Sequence, residues 1–168
     1  GTNAEVVLGN KDWLIGCAGA AGPALEGGVS EIGRQAEPGI IEKVRIDPDT
    51  LEFHVQTIGG LPPTGICGSG FIDLAAELFR NGLLDFRGKL VPSRLPERFE
   101  DQDGTASLLV VPAKDSGSGQ GLYVAQPEID SLIRSKAAMY TILETLAASV
   151  GIDLASISRW YVAGPFGQ

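Results

Sequence analysis

The residues best placed to do chemistry lie in glycine-rich stretches at the two ends of the chain. Gly1-Thr2-Asn3-Ala4-Glu5 runs directly into the apolar residues Val6-Val7-Leu8. A tight turn of that composition can aim backbone N–H groups and the Thr2 hydroxyl at phosphate oxygens, because successive amides in a turn form an anion-binding nest. Val162-Ala-Gly-Pro-Phe-Gly167 follows a strand-type run and can bring bare backbone against a flat ligand. Each of these stretches taken alone is also what a plain turn looks like. Their order, with the stretch Cys17 to Gly28 and Lys136 between them, is more specific. Lys136 stands out because, at about 100° per residue, it falls inside a stripe formed by Ile129, Leu132, Ile133, Tyr140, Leu143, Leu146, Ala147 and Val150, while Arg134 points to the opposite side. An unpaired ammonium on a core-facing line is costly. Lys136 therefore either snorkels to an edge or borders a ligand pocket.

Other chemistries lack their residues. No stretch has the spacing of a P-loop, a dinucleotide fingerprint or a Gly-x-Ser-x-Gly elbow. The single histidine, His54, sits within an alternating run and reads as a surface strand residue, and a Ser-His-Asp triad has no other histidine to use. Cys17 and Cys67 are too few for a disulfide framework, lack zinc spacing, and read as buried, unreactive thiols. Asp115 to Gly121, rich in Ser and Gly, reads as a hairpin tip.

The elements that must position these residues follow from pattern and punctuation. Residues 5–9 and 13–17 are β-prone runs around a turn at Asn10-Lys11-Asp12, and the second leads into a tight loop with Pro23 at a helix start. A second hairpin joins 40–46 to 51–58 around Asp47-Pro-Asp-Thr50, which suits a type I turn. A helix begins at Ser69 or Gly70, carries Phe71, Ile72, Ala75, Leu78 and Phe79 on one side, and stops at Asn81-Gly82. Residues 85–105 read as a polar surface excursion and 108–111 as a strand. The longest helix runs from Pro127 to Val150 and ends at Gly151. After it, Ile157 to Ala163 has a buried-strand pattern. With turn chemistry at residue 1 and a strand ending in a glycine turn at the last residues, the chain reads as a piece of a larger one.

Composition bounds the rest. A chain of 168 residues can bury roughly 70% of its unfolded surface, so it needs no staples. Its net charge is −8, with 13 Lys and Arg against 21 Asp and Glu and no basic run, which argues against nucleic acid as a partner. No apolar run approaches the roughly 20 residues of a membrane span and no basic leader precedes one, so a cytoplasmic protein with no membrane partner is expected. The 23 glycines are about twice the ordinary share of roughly 7%, and they cluster between apolar segments.

Five stretches together carry a family resemblance: Gly1-Thr-Asn-Ala-Glu-Val-Val-Leu-Gly-Asn-Lys-Asp-Trp13, Ala21-Gly-Pro-Ala-Leu-Glu-Gly27, Gly65-Ile-Cys-Gly-Ser-Gly-Phe-Ile-Asp73, Ile133-Arg-Ser-Lys-Ala-Ala138 and Tyr161-Val-Ala-Gly-Pro-Phe-Gly167. In this order they resemble the C-terminal domain of the ATP-dependent reductive activators of corrinoid proteins, within the superfamily of acetate and sugar kinases, Hsp70 and actin. The resemblance spans residues 1–168. It implies an α/β fold, the RNase H-like second half of an actin/Hsp70-type ATPase domain, with a mixed sheet flanked by helices and an inserted α+β subdomain over roughly 29–125. It also implies that Gly1, Thr2 and Asn3 belong to a phosphate motif whose Asp, a Mg²⁺-site carboxylate, would precede Gly1. Gly164 and Gly167 match the adenosine motif, with Pro165 where a second glycine is usual. Lys136 and Arg134 match the helix that contacts the nucleoside.

What the resemblance implies for function is ATP or ADP binding with Mg²⁺, and ATP hydrolysis coupled to reduction of Co(II) to Co(I) in a corrinoid protein partner. Electrons would come from an N-terminal [2Fe–2S] domain that two cysteines cannot supply, and with half of the phosphate site missing this stretch alone is expected to be weak or inactive as an ATPase. An alternative resemblance links Cys17 to Glu26 with the cysteine loop of 2-hydroxyacyl-CoA dehydratase activators, whose homodimer shares a [4Fe–4S] cluster; Cys17 and Cys67 would then be its ligands. A third reading is a non-catalytic docking or dimerisation module.

Overall fold

The computed structural model describes residues 3–20 and 30–164. The chain divides into two compact units, Ala24–Leu132 and a smaller one formed by Gly1–Pro23 with Ile133–Gln168.

The larger unit is built on a three-stranded mixed sheet. Strand β3 (Ile40–Ile46) lies between β4 (Phe53–Thr57), antiparallel to it, and β5 (Gly65–Ile66), parallel to it. The β3–β4 register, Ile46 opposite Phe53 and Val44 opposite Val55, is set by the turn between them. There the Asp47 carboxylate accepts from the Asp49 and Thr50 amides at 2.9 and 2.8 Å and from the Thr50 hydroxyl at 3.0 Å. Helix α1 (Gly68–Arg80) covers β3 with Phe71, Leu74 and Leu78, all fully buried with Ile41 and Val44. Its stop is as expected: the Asn81 amide donates to the Glu77 carbonyl and Gly82 takes φ 69°, a conformation only glycine adopts freely.

Glu77 is the one acid that α1 buries. It accepts from the Ile46 amide at 2.9 Å and from Arg80 at 3.0 Å, so the carboxylate that enters the core is satisfied on arrival. A second sheet, β6 (Phe99–Gln102), β7 (Thr105–Val111) and β8 (Leu122–Ala125), is antiparallel throughout and sends Leu108, Val110, Leu122 and Val124 into the same core.

Several expectations change. Ile72 and Phe79 do not share the buried side of α1 but face solvent, because the buried arc is centred on Leu74 and Leu78. The helix cap is Cys67, two residues before Ser69, the earlier of the two expected positions. Residues 85–105 are not only a surface excursion: Leu90 and Leu95 are core residues, and the segment contains β6. Short apolar insertions between prolines and charges carry no periodic signal, so their burial is decided by tertiary packing. The Ser-Gly loop lies, as expected, at the tip of a hairpin, with β8 pairing antiparallel to β7 across it.

In the smaller unit, β1 (Asn3–Gly9) and β2 (Leu14–Ala20) form the expected hairpin, in register from Asn3 opposite Ala20 to Gly9 opposite Leu14. The Asn10 side chain closes its turn by accepting from the Asp12 amide at 2.8 Å and the Trp13 amide at 3.3 Å. Helix α2 (Gln126–Ser149) begins in the larger unit and continues in the smaller one, where Ile142 packs so closely on Gly19 of β2 that a Cβ there would lie 2.6 Å from its Cδ1. Gly151 at φ 69° ends it as expected, with the Ile152 amide donating to the Ala147 carbonyl.

Candidate functional site

The hairpin sets the described ends of two of the predicted glycine-rich stretches beside each other. Because Asn3 pairs with Ala20, the start of β1 and the exit of β2 into residues 21–28 share the open end of the ladder, opposite the Asn10 turn. Asn3 is thus the first described residue of one motif and Ala20 the last described residue before the other. Gly1, Thr2 and the helix start expected at Pro23 lie outside the described residues.

The second element is α2. Its half-buried and buried positions run through Glu128, Leu132, Ser135, Met139, Ile142, Leu146 and Val150, in steps of mostly four and three. Of the expected stripe, Ile129, Leu143 and Ala147 are buried or half-buried as well, and only Ile133 and Tyr140 are exposed. Lys136 falls among these residues around the helix but is itself exposed, so its charge needs no pocket to be tolerated. Arg134 is exposed as well. Two residues along a helix are about 200° apart, so the two cations leave α2 on nearly opposite sides.

A cleft of about 420 Å³ lies one turn beyond Lys136, lined by Tyr140, Glu144, Ala147, Ile152, Asp153 and Leu154 among others. The Tyr140 hydroxyl bonds to the Glu144 carboxylate, and this bond, reinforced by the charges of Glu144 and Asp153, raises the phenol above its ordinary pKa. Sequence reading missed this group because Tyr140 was assigned to the core; the Tyr-to-Glu spacing of four on an exposed helix face was the available signal. Neither Lys136 nor Arg134 lines the cleft.

The third expected element is absent as a strand. Residues 157–163 make no ladder and Trp160, Tyr161 and Val162 are exposed, at 55, 85 and 75%. A strand exists only when its amides and carbonyls pair with a neighbour, and among the described residues β1 and β2 pair only with each other. Gly164 takes φ 126°, open to glycine and strained for other residues, which fits a glycine turn at that point. Pro165 and Gly167 lie outside the described residues.

The cysteines part company. Cys67 is buried, its thiol donating to the Ile41 carbonyl at 3.3 Å beside the Ser69 hydroxyl. Cys17 is exposed on β2, contrary to the expectation that both are buried. A cluster shared across a dimer needs both thiols at the surface, which Cys67 does not offer. Among the described residues no group of three or more His, Cys, Asp or Glu could hold a metal ion, and no helix is long and apolar enough to cross a membrane.

Comparison with known proteins places this geometry. A family model described as the C-terminal domain of RACo, the ASKHA domain, matches residues 1–168. A corrinoid activation enzyme, RamQ, of Eubacterium limosum is 33% identical over 175 residues, covering 100% of this chain and 29% of its own length. A reductase of a Co(II) methylated amine-specific corrinoid protein, from Methanosarcina barkeri, is 25% identical over 189 residues, covering 99% of this chain and 31% of its own length. A solved structure of a reductive activator for a corrinoid, iron–sulfur protein superposes with a TM-score of 0.86 at 43% identity, over 95% of this chain and 25% of that one. The chain thus spans between a quarter and a third of the length of these relatives.

Proposed function

This chain belongs to the family of the C-terminal ASKHA domain of RACo, and from that premise we propose that it is the nucleotide-binding part of an ATP-dependent reductive activator of a corrinoid protein. In that role the longer protein couples ATP hydrolysis to reduction of Co(II) to Co(I), with electrons from a [2Fe–2S] domain elsewhere in it. The observation that carries the reading is the match of all 168 residues to this family, supported by relatives whose names concern corrinoid activation or reduction.

The residues present suit a nucleotide better than a metal centre. The open end of the β1–β2 ladder joins two glycine-rich stretches, and turns of that kind bind phosphate oxygens through backbone amides. Lys136 and Arg134 are solvent-exposed cations that can meet an anionic ligand without first breaking out of a core. Gly1, Thr2 and Asn3 would hold phosphate, Gly164 and Gly167 would pass beneath adenosine, and Lys136 would face the nucleoside, whereas Arg134 leaves α2 on nearly the opposite side and would not share that face. Bound Mg²⁺–ATP supplies the hydrolysis that drives the uphill reduction. The unit Ala24–Leu132 is then an insertion into this nucleotide-binding half, close to the span 29–125 expected from sequence.

Calorimetric titration of ADP and ATP into the longer protein, with residues on both sides of this chain present, tests the proposal. Saturable binding is expected, and Lys136→Ala should weaken it by about tenfold, the size of one charge-assisted hydrogen bond. Absence of nucleotide binding overturns the reading in favour of a docking module; unchanged affinity in Lys136→Ala removes that residue from the site.

A further inference from the structure

We propose that the outer face of α1 is a docking surface for an acidic, apolar segment of a partner protein. The face is formed by Ile72, Ala76 and Phe79, which fall within about 60° of one another around the helix. Ile72 and Phe79 are 47 and 57% exposed. They are not a frayed edge of the core. The opposite arc of α1 is filled by Phe71, Leu74 and Leu78, so the fold is complete without them. Two large apolar side chains on one helix face, joined by an alanine, form a contiguous stripe of the kind that marks an interaction site rather than scattered surface apolarity.

The charges beside the stripe select the partner. Asp73 and Glu77, on the flank of α1, are drawn inward: Asp73 accepts from the Val44 amide at 3.4 Å and Glu77 from the Ile46 amide at 2.9 Å. Their side chains are 33 and 6% exposed, whereas the side chains of the arginines they pair with, Arg45 and Arg80, are 64 and 71% exposed. Arg45 lies 3.4 Å from Asp73 and 3.9 Å from Glu77, and Arg80 lies 3.0 Å from Glu77. The local charges balance, but backbone amides partly satisfy the carboxylates and the cations are what a partner meets. On a chain of net charge −8 this is a cationic flank on an apolar stripe. It fits a helix or extended segment that sets Glu or Asp beside aliphatic residues, with complementary charge fixing its direction. A second copy docking symmetrically through the same face would bring like guanidiniums together, which disfavours it.

The test uses the full chain and two synthetic helical peptides with the same leucine pattern, one flanked by Glu and the other by Lys. Titration is followed by calorimetry and by amide shifts of the isotope-labelled chain. The Glu peptide should bind about tenfold or more tightly than the Lys peptide, weaken as salt rises, and shift the amides of residues 72–80. Phe79→Ser and, independently, Ile72→Gln should each lower its affinity by about tenfold while circular dichroism stays unchanged. If one variant fails to fold, the other decides. Equal affinity for both peptides, shifts centred elsewhere, or undiminished binding by a folded variant overturns the proposal. So does a concentration-dependent dimer of the chain alone that Phe79→Ser abolishes, because the face would then belong to a second copy.

Discussion

Gly70→Ala in α1 should destabilise the protein, against the ordinary rule that alanine improves a helix. Gly70 lies in the first turn of α1, where the helix sits close to the central strand. A Cβ there would lie 2.4 Å from the Ile41 carbonyl oxygen, 2.9 Å from Ile66 Cγ1 and 3.0 Å from the Ile41 carbonyl carbon. Two of the three are backbone atoms of the central strand and cannot rotate away, so α1 would have to lift off β3 by about half an ångström. Overpacking of this kind costs about 1–3 kcal/mol, and a backbone clash belongs at the upper end. Against it stands the gain of about 1 kcal/mol for replacing glycine by alanine within a helix. The net loss is about 2 kcal/mol, or a fall of about 4–8 °C in Tm for a chain of this size. Ala76→Gly, on the exposed side of the same helix, supplies the propensity term separately and should cost about 1 kcal/mol. Thermal melts of the three proteins by circular dichroism suffice. A Gly70→Ala protein that melts at or above the parent would refute the packing argument.

Two further outcomes follow from side-chain placement. In the native protein a thiol reagent should modify Cys17 rapidly and Cys67 only after denaturation, because Cys67 is buried and donates to the Ile41 carbonyl; equal native rates would contradict this packing and reopen a cluster shared through both cysteines. The hydrogen bonds that Asp47 accepts from Thr50 and Asp49 hold its pKa below the ordinary 3.8. A depressed carboxylate stabilises the fold above its unfolded pKa and loses that contribution as pH falls through the folded value, so protection of the Thr50 amide should be lost only below the ordinary range. Titration of this carboxyl by NMR at or above 3.8 would refute the turn geometry.

How much of this was legible in the sequence depended on whether the deciding force was local. The hairpins at Asn10 and Asp47 were readable because a side chain in the turn itself makes the bonds that close it. The ends of α1 and α2 were readable because Gly82 and Gly151 take positive φ where helices stop. The buried faces were harder. On α1, Ile72 and Phe79 have the same hydrophobicity as Phe71 and Leu78, and only the position of β3 decides which pair turns inward. On α2 the projected stripe is buried or half-buried except at Ile133 and Tyr140, and Lys136, which falls within it around the helix, is exposed. The turns proposed to hold phosphate and adenosine are specific only as an ordered set, since neither turn alone differs from an ordinary one.

The run 157–163 shows why strand pattern and strand formation are different statements. Its apolar residues carry the signature of a buried strand, yet Trp160, Tyr161 and Val162 are exposed and unpaired in any ladder. The same imbalance holds for the whole smaller unit. Every residue of the main core cluster belongs to the larger unit, while in the smaller one Leu146 and Ala147 are the buried apolar residues among those described, and Val7, Leu14 and Tyr140 are exposed. Apolar area left in water forgoes about 25 cal/mol per Å², and a two-stranded ribbon is marginal by itself. The larger unit has the features of a domain that holds itself together. The smaller unit, among its described residues, leaves more of its apolar side chains in water than it buries.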